Sequence, residues 1–234
     1  MPERVLVPSI EQRLAGLMEV TRRKDQEAEK KGKRFAPTIS ISREFGCEAY
    51  PMAEKLKSLM EEKTGEPWAL IDKGLMAEVE KNHRLSENIL DSLGKRPRFL
   101  DELFSLLSSR WKNEKDHYQL LCDHIVSLAA AGNAIIIGMG SAVITQQLDN
   151  CRHFRLYASP EFKTRSIARR LKLSKQEAEL VVEKRQKERD AFIRNFLNAR
   201  MTDLGLYHLV INNDRNPAER MARTIADYVM NSRP

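Results

Sequence analysis

The sequence predicts an α/β protein, a parallel five-stranded sheet with helices on both faces, and three observations carry this expectation. Five short apolar segments, near residues 38–42, 68–72, 134–138, 153–158 and 207–211, alternate with stretches of helical periodicity, the pattern of a sheet covered by helices. Ala134-Ile135-Ile136-Ile137-Gly138 is apolar up to its closing glycine, as suits a strand in the middle of a parallel sheet. Turn and cap residues follow the strands: Ser42 to Gly46, Asp72, Gly138 to Ser141, and Ser159-Pro160-Glu161.

Taken in order, residues 9–31 read as a helix with Ile10, Leu14, Leu17 and Met18 on one face and a capping box from Ser9 and Gln12. Its second half, RRKDQEAEKKGKR, is almost all charge and reads as a solvated arm, with fraying the simplest expectation. Thr38 to Ser42 is the first strand, and a loop over 42–50 leads to a helix starting at Pro51 or Met52, striped by Met52, Leu56, Leu59 and Met60 and stopped at Gly65. Trp68 to Asp72 is a short strand ending on a carboxylate. Residues 73–131 read as helical with breaks near Arg84, Gly94 to Pro97 and Trp111 to Asn113. After the strand at 134–138, His153 to Ala158 forms another strand, and Ser159, Pro160 and Glu161 open a helix in cap, proline and acid order. Ser174 with Glu177 forms a capping box for a basic helix over about 175–200. Tyr207 to Ile211 is the last strand, and Asn216, Pro217 and Glu219 cap a terminal helix running to about Asn231.

The chain of 234 residues is long enough for one main domain with a substantial core. The reading divides it into an N-terminal helical extension over 1–34 and a main domain over 35–234, the latter carrying a helical insertion at 73–131 and a lid at 163–200. No stretch approaches the roughly 18 consecutive apolar residues of a membrane span, and the N-terminus lacks the apolar run of a signal peptide. A cytoplasmic protein without a membrane partner is expected. Cys47, Cys122 and Cys151 lie far apart and never in a CxxC pair, which suits a reducing compartment. No metal site is expected, because Cys122 and His124, two residues apart on a helix, point in different directions.

The formal net charge is +7, and residues 163–200 alone hold twelve Lys or Arg against five Asp or Glu. A basic segment suits a polyanionic ligand; paired charges on a solvated helix face are the plainer account. The segment lacks the interleaved aromatics of a single-strand binder, since Phe192 and Phe196 share one face and suit a core better. Nucleic acid is therefore disfavoured relative to a nucleotide or other phosphate-bearing small molecule. In an open parallel sheet ligands collect at the carboxyl ends of the strands, which places Ser42 to Gly46, Asp72 and Gly138 to Ser141 among the candidates. Each also has a structural account, as turns for Gly46 and Gly138 and as a helix cap for Asp72.

ISREFG at 41–46, GNAIIIGMGSAVI at 132–144, FRLYASPEFKTRSIARR from Phe154, LSKQEAELVVEKRQKERDAFIRNF from Leu173 and LYHLVINNDRNPAE from Leu206 resemble the cytidylate kinase-like proteins, relatives of the nucleoside monophosphate kinases in the P-loop superfamily. The resemblance implies a nucleoside monophosphate kinase-like fold and transfer of the terminal phosphate of ATP, with Mg2+, to a nucleoside monophosphate. Catalytic roles are implied for Arg43, Arg165 and Arg169. Nucleotide or phosphate binding is implied for Ser42, Arg43, Gly46, Cys47, Ala49, Arg170, Arg185 and Arg189, and an acceptor side for Asp72, Gly138 and Gly140. Arg165 and Arg169, like Arg185 and Arg189, are four residues apart and share a helix face, so a closed lid would present several guanidinium groups to phosphates.

The departures from the family pattern lead to a second reading. Glu48 and Tyr50 stand where small or basic residues are expected, Met139 where arginine is usual, and Gln186 where aspartate is more frequent. GxxxxGK[ST] is met nowhere in the chain. The alternative is a catalytically degenerate protein that binds a nucleotide or phosphate and regulates a partner, and whether the insertion forms a homodimer is left open. Two structural expectations follow: loop 42–50 turns its backbone amides toward a pocket, and 163–190 is a mobile lid anchored only by Leu171, Leu173 and Leu180.

Overall fold

The computed structural model describes residues 10–28, 36–81, 86, 89 and 112–232, with side chains described from 10–21 in the first helix and from Tyr118 onward in the helix that begins at Lys112. The strands are β1 (Thr38–Arg43), β2 (Ala69–Ile71), β3 (Ala134–Ile137), β4 (Cys151–Tyr157) and β5 (Leu209–Asn212). The helices are α1 (Ile10–Ala28), α2 (Ala49–Thr64), α3 (Lys73–Lys81), α4 (Lys112–Ala131), α5 (Ser141–Ile144), α6 (Pro160–Leu171), α7 (Lys175–Leu197) and α8 (Ala218–Asn231). The breaks expected near Arg84 and over Gly94 to Pro97, and the cap at Ser9, lie outside the described residues.

The sheet has the order β2-β3-β1-β4-β5 and every pairing is parallel. Parallel neighbours need a crossover, and helices supply it. The run Ala134 to Ile137 sits inside the sheet and is buried at all four positions, because β-branched side chains fill both faces of a central strand. On one face α2 and α8 pack over Ile39, Ile41, Leu70, Ile135, Ile137, Phe154 and Leu156. On the other, α1, α3, α4, α5 and the end of α7 pack over Ala69, Ile71, Ala134, Ile136 and Cys151.

Local chemistry sets most helix ends. Ser159 accepts from the Phe162 N–H, Ser174 and Glu177 form the reciprocal capping box, and Gly65 ends α2 at φ 70°. Two expectations are corrected. Helix α2 starts at Ala49, ahead of Pro51, because Tyr50 and Pro51 both accept helical geometry in its first turn. Helix α8 has no side-chain cap bond: the Asn216 amide instead donates to the Asn212 carbonyl. Helix α1 docks through its first half, where Leu17 and Val20 are buried in the core, and the side chains of the charged second half lie outside the described residues.

The segment 163–200, expected as a lid, is not uniform in its packing. Leu180 is 68% exposed and anchors nothing. The end of α7 belongs to the core, where Ile193 and Leu197 are buried and Phe192 and Phe196 lie 5.2 Å and 4.9 Å from the ring of Tyr118. The aromatic pair thus serves packing.

Candidate functional site

At the carboxyl end of the sheet β1 delivers Ser42 and Arg43, the chain turns through Glu44 to Glu48, and α2 begins at Ala49. Gly46 makes the turn at φ +100°, where a Cβ would lie 2.7 Å from Lys163 Cβ, so only glycine lets the loop lie against the first turn of α6. Four of the loop's amides face protein acceptors. Phe45 N–H donates to Gln186 Oε1 and Glu48 N–H to Asn213 Oδ1, both at 2.8 Å, while Glu44 and Cys47 N–H donate to the carbonyls of Leu156 and Glu44. Protein groups therefore take four of the loop donors that a phosphate would need. Counted from Gly46, the positions of the second glycine, lysine and hydroxyl in GxxxxGK[ST] hold Pro51, Met52 and Ala53, and the last two are fully buried among core side chains.

Two loop carboxylates hold cations from the surrounding elements. Glu44 accepts from Lys163 Nζ at 2.8 Å and faces Arg155 at 3.4 Å, with side chains 15% and 7% exposed for the two cations. Glu48 pairs with Arg169 at 2.6 Å, but Arg169 is 70% exposed. Screening leaves such an exposed pair about 0–1 kcal/mol, whereas the sheltered Glu44 cluster feels a lower dielectric and holds more firmly. The guanidinium of Arg189 lies 4.8 Å from the ring of Phe45. Burial, with the charge of Glu44 adding to it, pushes the Cys47 thiol up to about 12, so this side chain is a buried thiol and no nucleophile.

On the acceptor side Asp72 is saturated. It caps α3 by accepting from the Leu75 N–H at 2.9 Å, accepts from the Tyr50 hydroxyl, and pairs with Arg13 of α1. Its carboxylate is thus a structural hub, and burial followed by the charge of Asp72 pushes the Tyr50 hydroxyl well above its ordinary range. The turn Gly138-Met139-Gly140 has φ 75°, 58° and 75°. A Cβ on Gly138 would collide with the guanidinium of Arg43, which places Arg43 against this turn. Leu197 covers Gly140 in the same way.

The remaining expected residues divide by position. Ser42 and Ala49 are buried beside the loop. Arg165 lies 5.9 Å from the ring of Phe162, Arg170 is half-buried at the end of α6, and Arg185 pairs with Glu188 at 2.9 Å. Arg169 and Arg189 reach the loop's side chains, and Arg185 is committed to its own helix. Sequence reasoning passed over Glu44, Lys163, Arg155, Asn213 and Arg13. Glu44 stands inside the quoted ISREFG and Asn213 inside INND; Arg13 carries no local signal, because its role depends on where α1 docks.

Among the described residues no helix is long and apolar enough to cross a membrane, and no three His, Cys, Asp or Glu side chains gather to hold a metal ion. No curated protein matches the sequence. Among solved structures, an uncharacterized protein from Eubacterium ventriosum aligns with a TM-score of 0.65 at 18% identity, over 84% of this chain and 99% of its own. Shikimate kinase from Bacteroides thetaiotaomicron aligns with a TM-score of 0.42 at 14% identity, over 83% of this chain and 98% of its own. The sequence pattern of the cytidylate kinase-like family matches residues 38–215, from the first residue of β1 into the loop after β5. The chain belongs to the cytidylate kinase-like family.

Proposed function

We propose that this kinase-like protein binds a nucleotide or another phosphate-bearing ligand between the 44–48 loop and helices α6 and α7, and uses that binding to regulate rather than to transfer phosphate. One observation carries the reading: Glu44 and Glu48 occupy the cations of the lid, Lys163 and Arg169, that a bound phosphate would otherwise engage. A carboxylate about 5 Å from a phosphate opposes it by about 3 kcal/mol at an effective dielectric near 20. The ligand must therefore displace Glu48 from Arg169, and that exchange loosens or re-forms the contact between lid and loop. Binding is thereby coupled to helix position.

The residues present do not fit a magnesium ion held by the protein. Glu44, Glu48 and Asp72 are each paired with a cation, and the hydroxyl position counted from Gly46 is Ala53. Alignment and charge cancellation are what phosphoryl transfer demands of a protein, and here both are directed inward.

Calorimetric titration with ATP, GTP and CMP, with and without magnesium, tests the proposal together with an assay for nucleoside diphosphate formation. Wild type is expected to bind at least one nucleotide in a magnesium-independent way without turnover. Glu48→Gln should tighten binding about tenfold, less than the full Coulomb figure because the position is partly solvated. Steady formation of diphosphate would restore the transferase reading. Absence of any nucleotide binding would remove the ligand assignment.

A further inference from the structure

Helix α1 precedes the residues matched by the family pattern, yet it sends a charged side chain to the mouth of the sheet. Arg13 and Asp72 form an ion pair whose side chains are 4% and 8% exposed. Asp72 in turn accepts from the hydroxyl of Tyr50 on the helix that follows the loop. The Arg13 Nη2 atom lies 3.8 Å from where a Cβ on Gly74 would stand, and the charge of Arg13 also acts on Glu54, one turn beyond Tyr50 on α2. Arg13 Nε is buried and has no hydrogen-bond partner. A buried N–H left without an acceptor is unfavourable, and at the ligand end of a parallel sheet the natural acceptor is one that arrives with a ligand.

We propose that α1 is part of the ligand site and that Arg13 is an anion-binding residue, taking the phosphate monoester of a nucleotide on the acceptor side. The inference rests on the nucleotide-binding reading above. Its physical content is a cation held at the acceptor side: Arg13 brings a guanidinium to the same carboxylate that the Tyr50 hydroxyl engages. Asp72 orients that guanidinium and Glu54 draws on its charge. The N-terminal extension is on this account a wall of the site rather than an appendage.

The experiment compares CMP, cytidine and inorganic phosphate by calorimetry on the full chain. CMP should bind at least tenfold more tightly than cytidine, and more tightly than inorganic phosphate, which lacks the nucleoside. Arg13→Gln should lower CMP affinity about tenfold to a hundredfold, the loss of one charge-assisted contact, and leave cytidine unchanged; Arg13→Lys should recover part of it. Circular dichroism establishes that the variants fold. Glu54→Gln, at a half-exposed position, is the second probe should the Arg13 variants fail to fold: relieving the competing carboxylate should tighten CMP several-fold without changing cytidine. Equal CMP affinity in wild type and a folded Arg13→Gln, or no response to Glu54→Gln, overturns this inference and leaves the general nucleotide reading intact. Inorganic phosphate binding as tightly as CMP, or cytidine as tightly as CMP, also overturns it. If the wild type binds none of ATP, GTP and CMP, both readings fall together.

Discussion

The two faces of β1 use the same six residues in opposite ways. Ile39 and Ile41 point into the core under α2 and α8 and are fully buried. Thr38, Ser40 and Ser42 point the other way and are just as buried, yet each is polar. Thr38 donates to the Ala129 carbonyl, Ser40 lies 2.7 Å from His153 Nδ1, and Ser42 lies beside Arg155 of β4. A row of polar side chains therefore runs along one face of β1 and β4, ending at Arg155, which faces Glu44 of the loop. The apolar face stabilises by area removed from water, which is insensitive to solution conditions near neutrality. The polar face stabilises only while each group keeps its partner and its protonation state. One face makes the fold robust, and the other makes it conditional.

Truncation of the apolar face should have the largest effect. Phe154 is fully buried and meets Tyr228 edge-on with centroids 5.7 Å apart. Phe154→Ala should destabilise the protein by about 3–5 kcal/mol in urea unfolding at pH 7. A loss no larger than that from a serine on the opposite face would erase the distinction between the two.

The polar face should show itself through pH. Burial, with the charges of His208 and Arg152 adding to it, lowers His153 from 6.5 to about 4. The unfolded chain then takes up a proton at higher pH than the folded one, so the contribution is fully present above about 6.5 and is lost as pH falls toward about 4. Linkage gives about 2 kcal/mol between pH 7 and pH 5. His208, also lowered chiefly by burial, adds loss in the same direction. Unfolding midpoints that do not move between pH 7 and pH 5 would show that His153 is hydrated in the folded state.

Ser40→Ala should have the smallest effect, about 1–2 kcal/mol, because it leaves His153 Nδ1 without its partner in a buried place. Ser40→Thr, which keeps the hydroxyl, should lose less. Similar unfolding free energies for the alanine and threonine variants would show that packing, not the hydrogen bond, sets stability at this position.

Most elements were legible because they depend on neighbours in sequence. The alternation of Ile39 and Ile41 with Thr38, Ser40 and Ser42, the run Ala134 to Ile137, and the caps at Ser159 and Ser174 are set by period and by local hydrogen bonding. Parallel pairing followed from strands that alternate with helices. The family pattern was legible for the same reason, since ISREFG and INND lie at the ends of two strands. What the site does with these residues was not. Glu44 meets Lys163 across 119 residues, Glu48 meets Arg169 across 121, and Arg13 meets Asp72 across 59. No period or cap rule reaches over such separations. The start of α2 at Ala49, the saturation of Asp72 and the exposure of Leu180 were decided by the same long-range packing. Sequence alone determined the strands, the helices and the end of the sheet at which a ligand would sit, because backbone geometry and burial obey short periods. Only the tertiary structure decided that the loop's amides go to Gln186, Asn213 and backbone carbonyls and that Lys163 and Arg169 of α6 go to Glu44 and Glu48, because ion pairs and side-chain caps form between whichever groups the fold brings within about 4 Å.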